Sequence, residues 1–193
     1  VEEYKKMGGE IVADVSYSSG DVDFKSQLTL IKGKNPDVLF VPGYYTEVGL
    51  VARQTRELGV KAVLMGGDGW DSEKLTEIGS DAIIGGYFSN HYSHEDKSPV
   101  VQNFVAQFKA KYGEVPSGLA AQGYDAAMVA VDAIKRSSEL SPKAIRDSLA
   151  QTKNFQGVTG MITINEERNA VKPAVVLKVA GPQKFSYVTT INP

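Results

Sequence analysis

The 193 residues contain no cysteine, only two histidines and a single tryptophan. Without thiols there is no disulfide framework, no thiolate nucleophile and no cysteine-based zinc frame. The core must come from burial alone. A chain of this size buries roughly 70% of the surface that its unfolded form exposes, which is enough. No apolar run reaches the roughly 18 to 20 residues that a membrane span needs. Charge of one sign is also missing: 21 Lys and Arg stand against 23 Asp and Glu, for a net charge of −2. A surface built for nucleic acid needs a basic surplus, and there is none. Low-complexity tracts are absent, and 42% hydrophobic residues exclude a disordered chain.

Several chemical signatures are lacking as well. No G-x-S-x-G elbow occurs, and Ser18-Ser19-Gly20-Asp21 reads as a turn rather than a nucleophile. Gly66-Gly67-Asp68-Gly69 has neither the Lys-Ser/Thr ending of a phosphate loop nor the dinucleotide spacing. The stretch from Asp68 to Glu73 does not alternate acidic ligands as a calcium loop does. His91 and His94, with Glu95 and Asp96, lie in a polar run ahead of Pro99 and lack the frame of a zinc site. No cofactor and no metal are expected, and catalysis has little support beyond the general capacity of Asp68 to act as a base.

What is present is regular alternation. Val1 to Met7 reads as the end of a helix, stopped by Gly8-Gly9. No strand precedes it, so the sequence is expected to be part of something longer. Ile11 to Tyr17 alternates as a strand, and Asp23 is placed to cap a helix from Phe24 to Lys32, which Asn35-Pro36 breaks. Val38 to Val41 and Ala62 to Met65 are continuous apolar runs, the pattern of strands covered on both faces. Between them, a helix capped at Thr46 carries Val48, Val51, Ala52, Thr55 and Leu58 on one face and ends at Gly59. A short helix capped at Asp71 or Ser72, a strand from Ile83 to Phe88 and a helix from Pro99 to Tyr112 follow. Strands alternating with helices predict an α/β fold with a parallel sheet and helices on both faces.

The later part differs. Leu119 to Arg136 is a long helix with an apolar stripe of Tyr124, Ala127, Met128, Val131 and Ile134, and Ser141-Pro142 opens a helix through Leu149. Strands then run over Met161 to Ile164, Ala174 to Val179 and Phe185 to Ile191, the last two joined by a hairpin at Gly181-Pro182-Gln183. Gly113 to Gly118 is the expected lobe boundary.

In an open parallel sheet, ligands bind at the carboxyl ends of the strands. Two loops there are well furnished. One reads Pro42-Gly43-Tyr44-Tyr45-Thr46-Glu47 and the other Gly66-Gly67-Asp68-Gly69-Trp70-Asp71. Tyr44 and Asp68 are one strand–helix–strand unit apart, which brings both loops to the same sheet edge. A phenol and a carboxylate together can receive an ammonium group through charge-assisted hydrogen bonds. Tyr45 or Trp70 could wall such a site or add a cation–π contact. The alternative is that the tyrosines only pack and Asp68 only stabilises a turn.

These segments resemble the periplasmic branched-chain amino-acid-binding proteins, type I solute-binding proteins of ATP-binding-cassette importers. The residues concerned are Val41 to Glu47, Arg53-Gln54, Gly59 and Met65 to Trp70, with Asp23-Phe24, Asn35-Pro36-Asp37, Gly123 to Ala126 and Phe155 to Gly160 in colinear order. The resemblance implies a Rossmann-like, doubly wound parallel sheet of the type I periplasmic binding protein fold, incomplete because the N-terminal lobe is largely absent. On that reading this is a C-terminal portion. Residues 1–117 form the second lobe without its first strand, 118–170 contribute helices and a strand to the first lobe, and 171–193 are crossover strands.

The resemblance also assigns Tyr44 and Asp68 to the ligand's α-ammonium and leaves the α-carboxylate to the other lobe. Asp68 is one methylene shorter than the Glu of branched-chain members, which bears on side-chain preference. The implied function is extracytoplasmic binding of an amino acid by lobe closure, with a membrane permease as partner and no enzymatic activity. The implied location is periplasmic, or extracellular and lipid-anchored. Uncovered lobe surfaces are expected to drive self-association. A sensor or regulatory domain of the same fold is the alternative function, and an enzyme on a flavodoxin-like sheet is the third.

Overall fold

The computed structural model describes residues 1–193. The chain divides into two compact units. The first comprises Val1–Phe88 and Lys178–Phe185, and the second Ser89–Leu177 and Ser186–Pro193.

The first unit opens with α1 (Glu2–Lys6), an exposed helix that ends before Gly8, whose φ of 88° suits glycine. Then come α2 (Lys25–Lys34), β1 (Val38–Phe40), α3 (Tyr45–Glu57), β2 (Val63–Gly66), α4 (Lys74–Gly79) and β3 (Tyr87–Asn90), which leaves the unit at Phe88. Two further strands, β7 (Ala174–Gly181) and β8 (Lys184–Ile191), complete a sheet of order β1-β2-β3-β7-β8. β1 pairs parallel with β2 in the register Val38↔Val63, and β2 with β3 in the register Met65↔Tyr87. The parallel order expected from the alternation is present.

Local chemistry accounts for the elements. Asp23 Oδ1 accepts from the Lys25 amide at 3.0 Å at the start of α2, and Asn35 in the left-handed region ends that helix. The hairpin between β7 and β8 turns on Pro182-Gln183, with Gln183 at φ 52°. Its Gln183 amide donates to Thr76 Oγ1 at 2.9 Å, which ties it to α4.

The core of this unit has large side chains. Phe24, Leu28, Val48, Leu64, Trp70 and Phe88 are fully buried. α3 buries Val48, Val51, Ala52 and Thr55 on one face, as the helical spacing predicts, and packs against α4. Gly49 lets it approach closely, since a Cβ there would sit 2.7 Å from Ile78 Cγ2.

Four expectations fail here. β1 and β2 are not covered on both faces: Val38, Val63, Met65 and, at 61%, Phe40 stand exposed on one side of the sheet. Ile11 to Tyr17 makes no strand ladder, because an alternating segment becomes a strand only where another pairs with it. β3 begins at Tyr87 rather than Ile83, since a 3-10 turn over Ser80–Ala82 runs on into a turn at Ile83 to Gly85. Thr46 is no cap, as α3 already starts at Tyr45.

The second unit contains α5 (Pro99–Tyr112), α6 (Gly118–Arg136) and α7 (Pro142–Ala150), with an antiparallel sheet of β4 (Phe155–Gly157), β5 (Gly160–Ile164) and β6 (Ala170–Val171). Serines cap all three helices, Ser98, Ser117 and Ser141 accepting from the amides of Val101, Ala120 and Ala144. Val101 and Phe104 of α5 cluster with Tyr92, Ala121 of α6 and Val158. α5 therefore packs with α6, and the two compact units divide inside β3.

The stripe on α6 is inverted relative to the sequence reading. The helix buries Gly118, Ala121, Asp125, Val129 and Ala133, whereas Tyr124, Met128, Val131 and Ile134 are exposed by 40% or more. The small face packs close because Asp125 satisfies the β4–β5 turn. Its carboxylate accepts from the amides of Val158 at 2.7 Å and Thr159 at 2.8 Å. The large face is left beside an open groove of about 430 Å³ shared with Phe108 and Phe155.

Candidate ligand site at the carboxyl ends of the parallel strands

The loops after β1 and β2 meet. Gly69 lies against the Gly43 carbonyl, which a Cβ would overlap, and that Cβ would stand 3.2 Å from Tyr44 Cδ1. Trp70 Nε1 donates to the Val41 carbonyl at 3.1 Å, locking the second loop to the end of β1. The two loops singled out in the sequence thus stand side by side within the first unit.

The four candidate residues have different positions. Tyr44 is 70% exposed, at the start of α3, and Asp68 is exposed at the head of a single 3-10 turn, Asp68–Trp70. Tyr45 is half-buried in the first turn of α3. Trp70 is a correction: at 0% exposure it presents no face to a ligand. Its ring lies beneath Gly66, where a Cβ would overlap it, and tilts against Phe88 at 6.0 Å. The lone indole lies beneath the candidate site rather than walling it.

A third loop, not singled out in the sequence, joins these two. Tyr17 donates its hydroxyl to the Pro42 carbonyl at 2.6 Å, and its ring meets Phe24 edge-on at 5.4 Å. Burial raises the phenol's pKa, and the Glu47 carboxylate adds to that. Glu47 Oε1 in turn accepts from the Gly20 amide at 2.9 Å and from Ser19 Oγ at 3.4 Å. The Gly20 amide, then the amide of Glu47 itself, hold this carboxyl below its usual range, with Ser19 adding to them. The only sequence signal for Tyr17 was its place at the end of an apolar alternation.

His91 and His94 join no group of three side chains suited to a metal. No helix is long and apolar enough to cross a membrane.

A parallel α/β sheet with a phenol and a carboxylate on adjoining carboxyl-end loops defines a class: a Rossmann-like ligand-binding fold. The family of periplasmic binding proteins matches residues 1–183, and the chain belongs to it. It is 32% identical over 159 residues to the Leu/Ile/Val-binding protein BraC3 of Rhizobium johnstonii, covering 81% of this chain and 42% of that protein. A leucine-, isoleucine-, valine-, threonine- and alanine-binding protein of Pseudomonas aeruginosa is 28% identical over 151 residues, 78% of this chain and 40% of that one.

Among solved structures, the leucine-binding protein LivK of Thermotoga maritima superposes with a TM-score of 0.92 at 38% identity, over 100% of this chain and 55% of that one. The LivJ substrate-binding protein of Streptococcus pneumoniae, in complex with isoleucine, gives 0.86 at 33%, over 100% and 55%. The chain spans about two fifths of the length of these curated relatives. The named relatives are binding proteins rather than enzymes.

Proposed function

We propose that the chain is part of an extracytoplasmic solute-binding protein for an amino acid, serving an ATP-binding-cassette importer. The observation that carries this reading is the meeting of the Tyr44 and Asp68 loops through Gly69 and the Gly43 carbonyl. A phenol and a carboxylate on adjoining loops suit an α-ammonium, and Asp68 supplies the compensating charge. The family relationship, and relatives named for binding leucine, isoleucine and valine, support an amino acid over a sugar or nucleotide.

On this reading the α-carboxylate is held by polypeptide outside these residues. The faces of β1, β2 and α6 support that view, since each leaves apolar side chains exposed at regular spacing. The same faces drive self-association of the chain by itself, which sedimentation velocity checks; a clean monomer at high concentration counts against it. Binding closes the lobes around the solute and presents the closed form to a membrane permease.

The test is a thermal-shift panel of amino acids, sugars and nucleotides at concentrations above about 1 mM, since half a site binds weakly. At least one aliphatic amino acid raises the Tm, and Asp68→Asn abolishes the gain. A shift with a sugar or nucleotide and none with any amino acid overturns the ammonium assignment.

A further inference from the structure

We infer that Tyr17 is a positioning residue of the ligand site, its phenol fixing the Pro42-Gly43 turn and through it the bearing of Tyr44. This inference rests on the amino-acid-binding reading for its consequence, but its mechanism stands on separate observations. Pro42 has no N–H, so its carbonyl is the polar main-chain group by which the turn can be held, and Tyr17 donates to it at 2.6 Å. Gly43 has φ 146°, a conformation that side-chain-bearing residues rarely adopt, and a Cβ there would overlap the Tyr17 hydroxyl. The phenol fills the space that a side chain at position 43 would need.

Tyr17 is itself held. Its ring sits edge-on to Phe24, which is 2% exposed and whose amide donates to Gln54 Oε1 at 2.7 Å. A path of contacts therefore runs from α3 through Phe24 and Tyr17 to the Pro42-Gly43 peptide ahead of Tyr44. Tyr44 itself is 70% exposed and has little packing of its own to aim it. Its direction is set by the backbone on which it stands.

The decisive experiment combines a double-mutant cycle with a binding measurement. Gly43→Ala, Tyr17→Phe and the double variant are compared by urea unfolding. The backbone strain of Gly43→Ala is common to both backgrounds and cancels, so the cycle reads the phenol alone. Gly43→Ala is expected to lower the folding equilibrium constant about tenfold less in the Tyr17→Phe background than in the wild-type background. An equal cost in both overturns the inference, whether or not any ligand binds.

For the consequence, leucine is titrated against the chain and followed by amide NMR. Tyr17→Phe is expected to weaken leucine about fivefold, the effect of one lost hydrogen bond, and to move the Gly43, Tyr44 and Gly69 amides. Leu28→Val, which loosens the neighbouring core without touching the turn, leaves the affinity unchanged. If Leu28→Val weakens leucine as much as Tyr17→Phe does, Tyr17 has only a structural role. If the wild type binds no amino acid while the cycle shows coupling, the proposed function fails and the positioning of the turn stands.

Discussion

The two units solve the packing problem in opposite ways. Of the large, fully buried side chains, Trp70, Phe24, Phe88, Leu28, Leu64, Leu75, Ile83, Val48 and Val179 belong to the first unit. The second contributes only Thr152 at that depth of burial. Its long helix α6 buries glycine, alanine and an aspartate, and polar bonds hold the pieces together. Asp125 receives the two turn amides, while Arg136 donates to the Ser148 carbonyl and to Thr152 Oγ1, both at 3.0 Å. The first unit is a hydrophobic core with one face uncovered. The second has a smaller apolar cluster around Tyr92, Val101 and Phe104, is tied by polar bonds, and leaves the large side chains of the α6 stripe exposed. The proposed ligand site lies in the first unit, above the buried Trp70.

Substitutions can break this contrast. Trp70→Ala is expected to cost the most, about 3–5 kcal/mol, because it empties the space beneath the candidate site and strands the Val41 carbonyl. Urea unfolding followed by circular dichroism measures it, and a loss under about 1 kcal/mol contradicts the aromatic core. Asp125→Ala leaves two buried amides without a partner and is expected to cost about 2–4 kcal/mol by the same assay. A near-neutral result would mean that the second unit does not depend on its polar staples.

The exposed stripe sharpens the comparison further. Met128→Ala should change stability by no more than about 0.5 kcal/mol, as at other surface positions. Were α6 packed as its sequence stripe suggests, the same change would cost about 2–5 kcal/mol. The smallest effect concerns pH. Glu47 titrates below its usual range, so the hold on the 18–21 loop is complete above the ordinary carboxylate pKa. It is lost as the pH falls through the lowered value. The Gly20 amide resonance should move across that acid window, and Glu47→Gln should abolish the movement.

The legible parts of the chain were those governed by local chemistry. Ser141-Pro142 marks a helix start that the structure keeps, and the helix expected from Pro99 is present too, because a cap needs only its own first turn. The hairpin at Pro182-Gln183 and the parallel pairing of β1 with β2 were equally readable. Apolar periodicity told truthfully which side of α6 wants cover, but not whether cover is present. The same holds for Phe40 and Met65. At the candidate site, loop composition put forward Tyr44 and Asp68, and the two loops that carry them do meet. It misplaced Trp70, because an indole beside glycines can line a site or lie under one, and only packing decides. Tyr17 was illegible: its role depends on a bond to Pro42 across 25 residues of chain.

The claim that Tyr44 and Asp68 receive an α-ammonium is tested most directly by an NMR titration with three related compounds: leucine, leucinamide and N-acetylleucine. Leucine and leucinamide keep the ammonium, and N-acetylleucine lacks it. The account predicts that the Tyr44 and Gly69 amides shift with the first two and stay in place with the third. Equal shifts with N-acetylleucine, or no shift with any of the three, would contradict it.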